Sequence, residues 1–353
     1  MDQRAMRDIW HEMGEWTSAG RPFALARVIE TWGSAPRAAG SGMIVGDDLR
    51  VAGSVSGGCI EGAVIEEAQA VLSFGSPKRV TYGVDDETAW SVGLSCGGEV
   101  SVFVETHPAV SEDAGARAVW AQLHSRLEAN RPAVLLTRLE PRDLPPHLLV
   151  SPDGLAVGDW GEQTEGAVAA ALEAYGQRTS GLKEVAGTPV FAHVFPRKDQ
   201  LLIVGAGHIS VALVRYAQVL DLETIVIDPR QVFAAPERFA VAPTQLHAKW
   251  PQEVLADLDL NEDTYTVLLT HDPKIDDPAL QIFLRAPVAY IGALGGRKTQ
   301  AARRERLRAE GFSDEDIGRI RGPVGLDIGA ETAAEIALSI VGEVVEIKRS
   351  RSR

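Results

Sequence analysis

Two short glycine turns are the places where this chain could do chemistry. The first lies in Leu201-Leu202-Ile203-Val204-Gly205-Ala206-Gly207-His208-Ile209-Ser210, a Gly-x-Gly between an apolar run and an amphipathic stretch. Glycines there let the backbone approach a phosphate, whose charge would rest on free N–H groups at a helix N-terminus. Asp228 closes the next apolar run at about the ~20-residue spacing from which an acid reaches a ribose hydroxyl. Ser210 stands where the third glycine of the dinucleotide pattern would be, which weakens the fit to nicotinamide. The second turn is Ser56-Gly57-Gly58-Cys59-Ile60-Glu61, ahead of Ile60, Val64, Ala68 and Val71 at helical spacing. A thiol there faces the positive end of a helix, and as thiolate it would be a soft metal ligand or a sulfur relay. Cys96 adjoins a second glycine pair, Gly97-Gly98. For both cysteines the competing reading is an inert, packed thiol.

Further polar clusters each follow an apolar run: Asp228-Pro229-Arg230, Thr270-His271-Asp272, and Gly292 through Gly295 and Gly296 to Arg297 and Lys298. Together with Gly205, Ala206, Gly207 and His208 they would line the carboxyl ends of parallel strands, where ligands bind in open α/β sheets. His208 would orient a phosphate or cap a helix; Asp228 would accept from a ribose or close a turn. Arg230, Arg297 and Lys298 suit phosphate or plain solvation. His271 and Asp272 with Asp276 and Asp277 resemble a metal set, but dense acidic loops more often cap helices, so no metal site is expected.

The elements that must hold these turns are legible from periodicity. Residues 201–204, 224–227, 266–269 and 288–291 read as buried parallel strands, with amphipathic stretches at 209–220, 299–310 and 332–347. That is a Rossmann-like doubly wound sheet. The N-terminal half repeats itself: Trp10 and Arg21-Pro22 recur as Trp120 and Arg131-Pro132, and Glu61-Gly62-Ala63-Val64 as Glu165-Gly166-Ala167-Val168. A helix–strand–hairpin–helix–strand unit is used twice, at about 1–107 and 115–196. The second copy has Gly158-Asp159-Trp160 in place of the Gly-Gly-Cys turn, as expected of a site on the first copy alone. The Pro-containing joint at 195–199 sets domains at 1–196 and 197–347, followed by a basic tail, 348–353, expected to fray.

Lys plus Arg is 35 against 49 for Asp plus Glu, a net charge of −14, which excludes a general nucleic-acid surface. No apolar run approaches the ~20 residues of a membrane span, and the first residues lack a signal-peptide core. With two cysteines among 353 residues there is no disulfide framework, and a soluble cytoplasmic chain is expected.

The segment from Gly33-Ser34-Ala35-Pro36-Arg37 to Ser56-Gly57-Gly58-Cys59-Ile60-Glu61, with Ser95-Cys96-Gly97-Gly98, resembles the N-terminal domain of the XdhC/CoxI family of xanthine dehydrogenase accessory proteins. The glycine turn ending in His208, Asp228-Pro229-Arg230, Thr270-His271-Asp272, Tyr290-Ile291-Gly292 and Gly322-Pro323-Val324-Gly325 resemble its Rossmann domain. The resemblance implies a cofactor-binding chaperone rather than an enzyme, carrying the molybdenum-pterin cofactor as cargo. It implies protection of that cargo during sulfuration, delivery to a xanthine-dehydrogenase-type apoenzyme, a cysteine desulfurase partner and a homodimer. Residues 205–208 would take the phosphate end, and the Cys59 turn the metal or sulfur end. Gly295-Gly296-Arg297 departs from the family's Gly-Ser-Arg, and family members serve several molybdoenzymes, so the client stays open. The alternatives are an NAD(P)-dependent oxidoreductase, weakened by the lack of a Tyr and Lys proton relay, a sulfur-transfer enzyme using Cys59 and Cys96, and a scaffold.

Overall fold

The computed structural model describes residues 6, 9–33, 37–83, 98–108, 111, 113–140 and 145–351. The chain divides into two compact units, Met1–Arg197 and Lys198–Arg353.

The first unit carries one topology twice. Its first copy runs α1 (Trp10–Ser18), β1 (Phe23–Trp32), β2 (Gly42–Gly46), β3 (Val51–Gly53), α2 (Glu61–Phe74), β4 (Lys78–Tyr82) and β5 (Glu99–Thr106). The second runs α3 (Ala114–Glu128), β6 (Ala133–Arg138), β7 (His147–Val150), β8 (Ala156–Val157), α4 (Thr164–Gly176), β9 (Gly181–Val185) and β10 (Thr188–Phe195). The sheets are ordered β3-β2-β1-β5-β4 and β8-β7-β6-β10-β9, antiparallel throughout. Each copy therefore ends in an antiparallel strand pair, not the single strand read from the sequence. β4 opens on the exposed Lys78 and Arg79 and turns only Val80 and Tyr82, both half-buried, inward, so its alternation is too short to read. A backbone requirement recurs as well. Gly53 (φ 81°) and Gly158 (φ 104°) sit where a Cβ would lie 2.4 Å from the Gly42 carbonyl oxygen and 2.9 Å from that of His147.

One face of each sheet covers its own helix. Ala24, Ala26 and Val28 pack with Val64, Ala68 and Val71 of α2, and Val134 and Leu136 with Ala167, Ala171 and Ala174 of α4. The other faces share a core with α1 and α3, in which Phe23, Leu25 and Ile44 meet Trp120, Leu123, Leu135 and Leu149. Inside this shared layer lies a buried polar knot. Arg27 Nη2 is 2.5 Å from Glu105 Oε1 and donates to Thr137 Oγ1 at 3.0 Å. His147 Nε2 is 3.1 Å from Glu105 Oε2. Arg27 and Thr137 are 110 residues apart, the repeat offset, so equivalent positions of the two copies meet here.

The second unit runs β11 (Gln200–Val204), α5 (His208–Val219), β12 (Glu223–Ile227), β13 (Gln245–His247), α6 (Pro251–Leu255), β14 (Thr264–Leu268) and α7 (Pro273–Arg285). It continues through β15 (Tyr290–Ala293), α8 (Arg297–Ala309), α9 (Asp314–Gly318), β16 (Ile320–Arg321) and α10 (Ala333–Arg351). The sheet is parallel in the order β13-β12-β11-β14-β15-β16, the 3-2-1-4-5-6 arrangement of a Rossmann fold. Strands buried on both faces need continuous apolar runs. In β11, Leu201 and Ile203 pack with Leu213 of α5 and Ile340 of α10, while Leu202 and Val204 pack with Leu280 and Phe283 of α7. Residues 348–351 of the basic tail, expected to fray, continue α10, and the Lys348 ammonium pairs with the buried carboxylate of Asp199. No helix among the described residues is long and apolar enough to cross a membrane.

Candidate functional site

In the second unit the chain order reverses between β11 and β14, so α5 leaves to one face of the sheet and α7 to the other. This is the switch point where open α/β sheets bind ligands. Residues 205–208 sit on its rim. Gly205 has φ 105°, and a Cβ there would lie 2.7 Å from Thr270 Cγ2. Its N–H bonds the Ile227 carbonyl at 2.8 Å, so the turn is sewn to both neighbouring strand ends. Replacing Gly205 by alanine is expected to cost about 1–3 kcal/mol of unit stability, since a strained left-handed residue and a clash are forced together. Urea unfolding checks it, and a midpoint equal to wild type would contradict the packing described.

Gly207 is different. It caps α5 with extended backbone (φ −76°, ψ −170°), and a Cβ there would meet nothing within 4 Å. The first-turn N–H groups of a helix lack partners inside it, and here they open onto the rim beside exposed His208. Ser210 fits where a third glycine was expected, because it is fully buried and its hydroxyl donates to the Gly205 carbonyl.

Asp228 stands beneath the glycine turn. It is fully buried, and its carboxylate accepts the Ala206 N–H (2.8 Å), the Arg230 N–H (3.0 Å), and Arg230 Nε and Nη2 (2.9 and 2.8 Å). Burial opposes its charge, but the Arg230 guanidinium and the two N–H groups outweigh it and hold the carboxyl below its ordinary range. Asp228 thus braces the glycine turn instead of presenting an acceptor. Arg230 stays exposed on the rim, its guanidinium 4.3 Å from the Phe233 ring centre.

Across the switch point, His271 is exposed and held left-handed at φ 60°, an unfavourable state for a non-glycine that clusters at ligand sites. Asp272 caps α7 by accepting the Lys274 N–H at 2.9 Å. Beneath them Thr270 Oγ1 donates to Asp276 at 2.6 Å. Buried Arg303 reaches Asp276 (3.4 Å), the Leu294 carbonyl (3.2 Å) and Gln300 (2.6 Å), and Gln300 donates to the carbonyls of Ala293 and Gly295. The loops after β14 and β15 are tied by this network. Burial raises the Asp276 carboxyl above its usual range, with the Thr270 hydroxyl and Arg303 working the other way.

After β15 the site residues divide. Gly292 is buried in the strand, where a Cβ would lie 2.5 Å from Val324 Cγ2 and 2.6 Å from the Tyr290 oxygen. A side chain is excluded there by packing alone. Gly295 (φ 124°) makes the turn, and Gly296 caps α8. Arg297 and Lys298 then stand exposed in the first turn, where cations oppose the helix dipole unless an anion lies between them.

The Cys59 turn belongs to the first unit. Gly57 (φ 83°) and Gly58 (φ 120°) are exposed with open space around them, and Cys59 is half-buried against the α2 core. Ser56 is buried, and its hydroxyl oxygen accepts the N–H groups of Cys59 and Ile60, both at 3.0 Å. The remaining N–H groups of the turn point at Glu61, not at the thiol. Cys96 and residues 34–36 lie outside the described residues.

Sequence reasoning missed Glu61, the Asp276–Arg303–Gln300 network and the Arg27–Glu105 knot. The knot had a signal: Arg27 and Glu105 are charges at inward positions of otherwise apolar strands. Among the described residues, no group of three or more His, Cys, Asp or Glu side chains is arranged to hold a metal. A cavity of about 350 Å³ in the first unit is lined by Trp10, Met13, Trp120 and His124, away from the Cys59 turn.

A doubly wound Rossmann unit with a brace under its glycine turn, preceded by a twofold-repeated antiparallel unit, defines the class of protein. The family model described as the XdhC Rossmann domain matches residues 201–344, and that of the XdhC and CoxI family matches residues 16–83. The chain belongs to the XdhC and CoxI family. It is 27% identical over 331 residues to the molybdenum cofactor insertion chaperone PaoD of Escherichia coli (strain K12), covering 94% of this chain and 85% of PaoD. It is 26% identical over 331 residues to a probable xanthine dehydrogenase subunit of Bacillus subtilis (strain 168), covering 92% and 93%. YqeB of Escherichia coli (strain K12) is 25% identical over 343 residues, 97% of this chain but 47% of YqeB, so the chain spans about half of that relative's length. In fold it is similar to the crystal structure of a xanthine dehydrogenase from Bacillus halodurans, with a TM-score of 0.77 at 24% identity over 97% of this chain and 96% of the other.

Proposed function

We propose that this chain is a molybdenum-cofactor accessory protein. It binds the molybdenum-pterin cofactor as cargo, shields it during sulfuration with a cysteine desulfurase as partner, and delivers it to a xanthine-dehydrogenase-type molybdoenzyme. It works in the cytoplasm as a homodimer. The name of PaoD, an insertion chaperone, and that of the Bacillus subtilis relative support this reading. The observation that carries it is the division of labour at the glycine turn. Residues 207–209 offer helix N-terminal N–H groups to an anion, while the acid that a nicotinamide ribose would need is sealed against Arg230. In this reading the phosphate end of the cargo rests at 205–208, with Arg230 and Arg297 adding positive charge. Cys59, on its own unit, acts at the sulfur side as a soft ligand or relay.

Loading the chain with molybdenum cofactor and mixing it with a xanthine-dehydrogenase-type apoenzyme tests the reading by the hydroxylase activity that appears. Wild type is expected to transfer, and Cys59→Ala to retain and transfer at least about tenfold less, as for loss of a direct metal or sulfur contact. Transfer at wild-type level by Cys59→Ala removes the thiol from the reading; no transfer by wild type removes the delivery function.

A further inference from the structure

The Cys59 turn is built around a carboxylate. Glu61, in the first turn of α2, folds back and accepts hydrogen bonds from six donors of residues 54–58. These are the hydroxyls of Ser54 (2.5 Å) and Ser56 (2.6 Å) and the N–H groups of Val55 (3.2 Å), Ser56 (2.9 Å), Gly57 (3.1 Å) and Gly58 (2.9 Å). Successive N–H groups turned to one point make an anion-binding concavity. Here the anion is supplied by the chain itself. With Gly57 and Gly58 both at positive φ, the loop has left the backbone states most residues favour, and the bonds to Glu61 hold it there.

The repeat supplies an internal control. Glu165 opens α4 in the second copy as Glu61 opens α2, yet it stands exposed in solvent. The loop before it has neither the two serines nor the glycine pair. It closes instead through Asp159, which accepts the Gly161 N–H at 2.8 Å, and Thr164, which accepts the Trp160 N–H at 3.0 Å. Buried Trp160 fills that loop. A glutamate at this point of the helix therefore does not fold inward as a rule of the fold. It does so where Ser-x-Ser-Gly-Gly-Cys precedes it.

We propose that Glu61 is the positioning residue of the Cys59 turn: its carboxylate is the template on which residues 54–59 close, so the cargo chemistry at Cys59 requires Glu61 without Glu61 touching the cargo. This rests on the reading of Cys59 given under the proposed function. The ionised state suits the role. Burial opposes it, but the hydroxyls of Ser54 and Ser56 and the Ser56 N–H hold the carboxyl down to about 2, so the turn keeps its template through mildly acid solution. The contribution is complete above the ordinary carboxylate pKa and is lost as pH falls through about 2.

The test uses the full chain with Glu61→Gln, Glu61→Ala and the double variant Ser54→Ala/Ser56→Ala, which leaves the carboxylate and removes two donors. Amide hydrogen exchange of residues 55–58 reads the loop. Iodoacetamide alkylation of Cys59, followed on its own peptide, reads the thiol, and pterin released after purification reads the cargo. Each variant is expected to exchange at least about tenfold faster at 55–58, with the rest of the unit still protected. Glu61→Ala is expected to alter the rate and pH profile of Cys59 alkylation and to lower retained pterin as far as Cys59→Ala does. Unchanged exchange and alkylation in Glu61→Ala overturn the positioning role. If the loop and thiol respond while both Glu61→Ala and Cys59→Ala retain pterin, the positioning role stands and the cargo reading of Cys59 falls.

Discussion

Replacing Arg27 by methionine is expected to destabilise the first unit by about 3–5 kcal/mol, because a buried Glu105 carboxylate is left with half its compensation. Arg27 is fully buried, and its guanidinium faces Glu105, Thr137 and the rings of Phe191 and Trp120 at 5.8 and 6.0 Å. Burial pushes the Glu105 carboxyl up, but His147 and then Arg27 overcome it and hold it at about 2. A depressed carboxylate contributes stability above its unfolded pKa and loses it as pH falls through the folded value. Wild type is therefore expected to lose this contribution between the ordinary carboxylate range and about pH 2. In Arg27→Met the acid transition moves to higher pH. The pair Arg27→Met/Glu105→Gln is expected to lose less than Arg27→Met alone, since no uncompensated charge remains. Chemical unfolding across pH measures all three. A single variant as stable as wild type would mean that the knot contributes nothing to joining the two copies.

Gly207→Asp is expected to abolish cofactor binding with the fold intact. The backbone at 207 is extended, which any residue adopts, and the space around a Cβ is open. Aspartate is also a preferred helix N-cap, so α5 should gain about a few tenths of a kcal/mol over glycine, or at worst lose nothing. The same carboxylate would accept from the N–H groups that the proposed function assigns to the phosphate, and would repel its charge. Cofactor affinity is expected to fall at least about 100-fold, the equivalent of roughly 2.7 kcal/mol. Equilibrium dialysis gives the affinity and thermal unfolding the stability. Tight binding by a well-folded Gly207→Asp would move the phosphate elsewhere. The contrast with Gly205→Ala, expected to harm the fold, separates the two glycines of one motif.

The parallel sheet was legible because strands buried on both faces must be continuous apolar runs, and residues 201–204 and 225–227 are. Strand ends were displaced by up to two residues: β15 begins at Tyr290 rather than 288, since Val288 is buried by packing and not by the ladder. The repeat was legible from Trp10 and Trp120, but β4 was not, its alternation being too short to read. At the site, position was legible and role was not. Asp228 stands where a ribose acceptor stands, yet Arg230 two residues on closes on it. No periodicity distinguishes a carboxylate facing a ligand from one facing its own loop. Glu61 hid for the same reason, as an ordinary first-turn acid of a helix. Gly292 shows the reverse, a glycine demanded by Val324 from elsewhere in the unit and by the Tyr290 ring of its own strand.

In the proposed function the glycine turn at 205–208 holds the phosphate of a pterin and not of a nicotinamide dinucleotide. Small molecules released by denaturing the full chain, purified from cells that make molybdenum cofactor, decide between the two once oxidised and separated by fluorescence. Fluorescent pterin is expected in amounts approaching the protein, with no stoichiometric NAD(P). Stoichiometric NAD(P) without pterin would contradict the assignment.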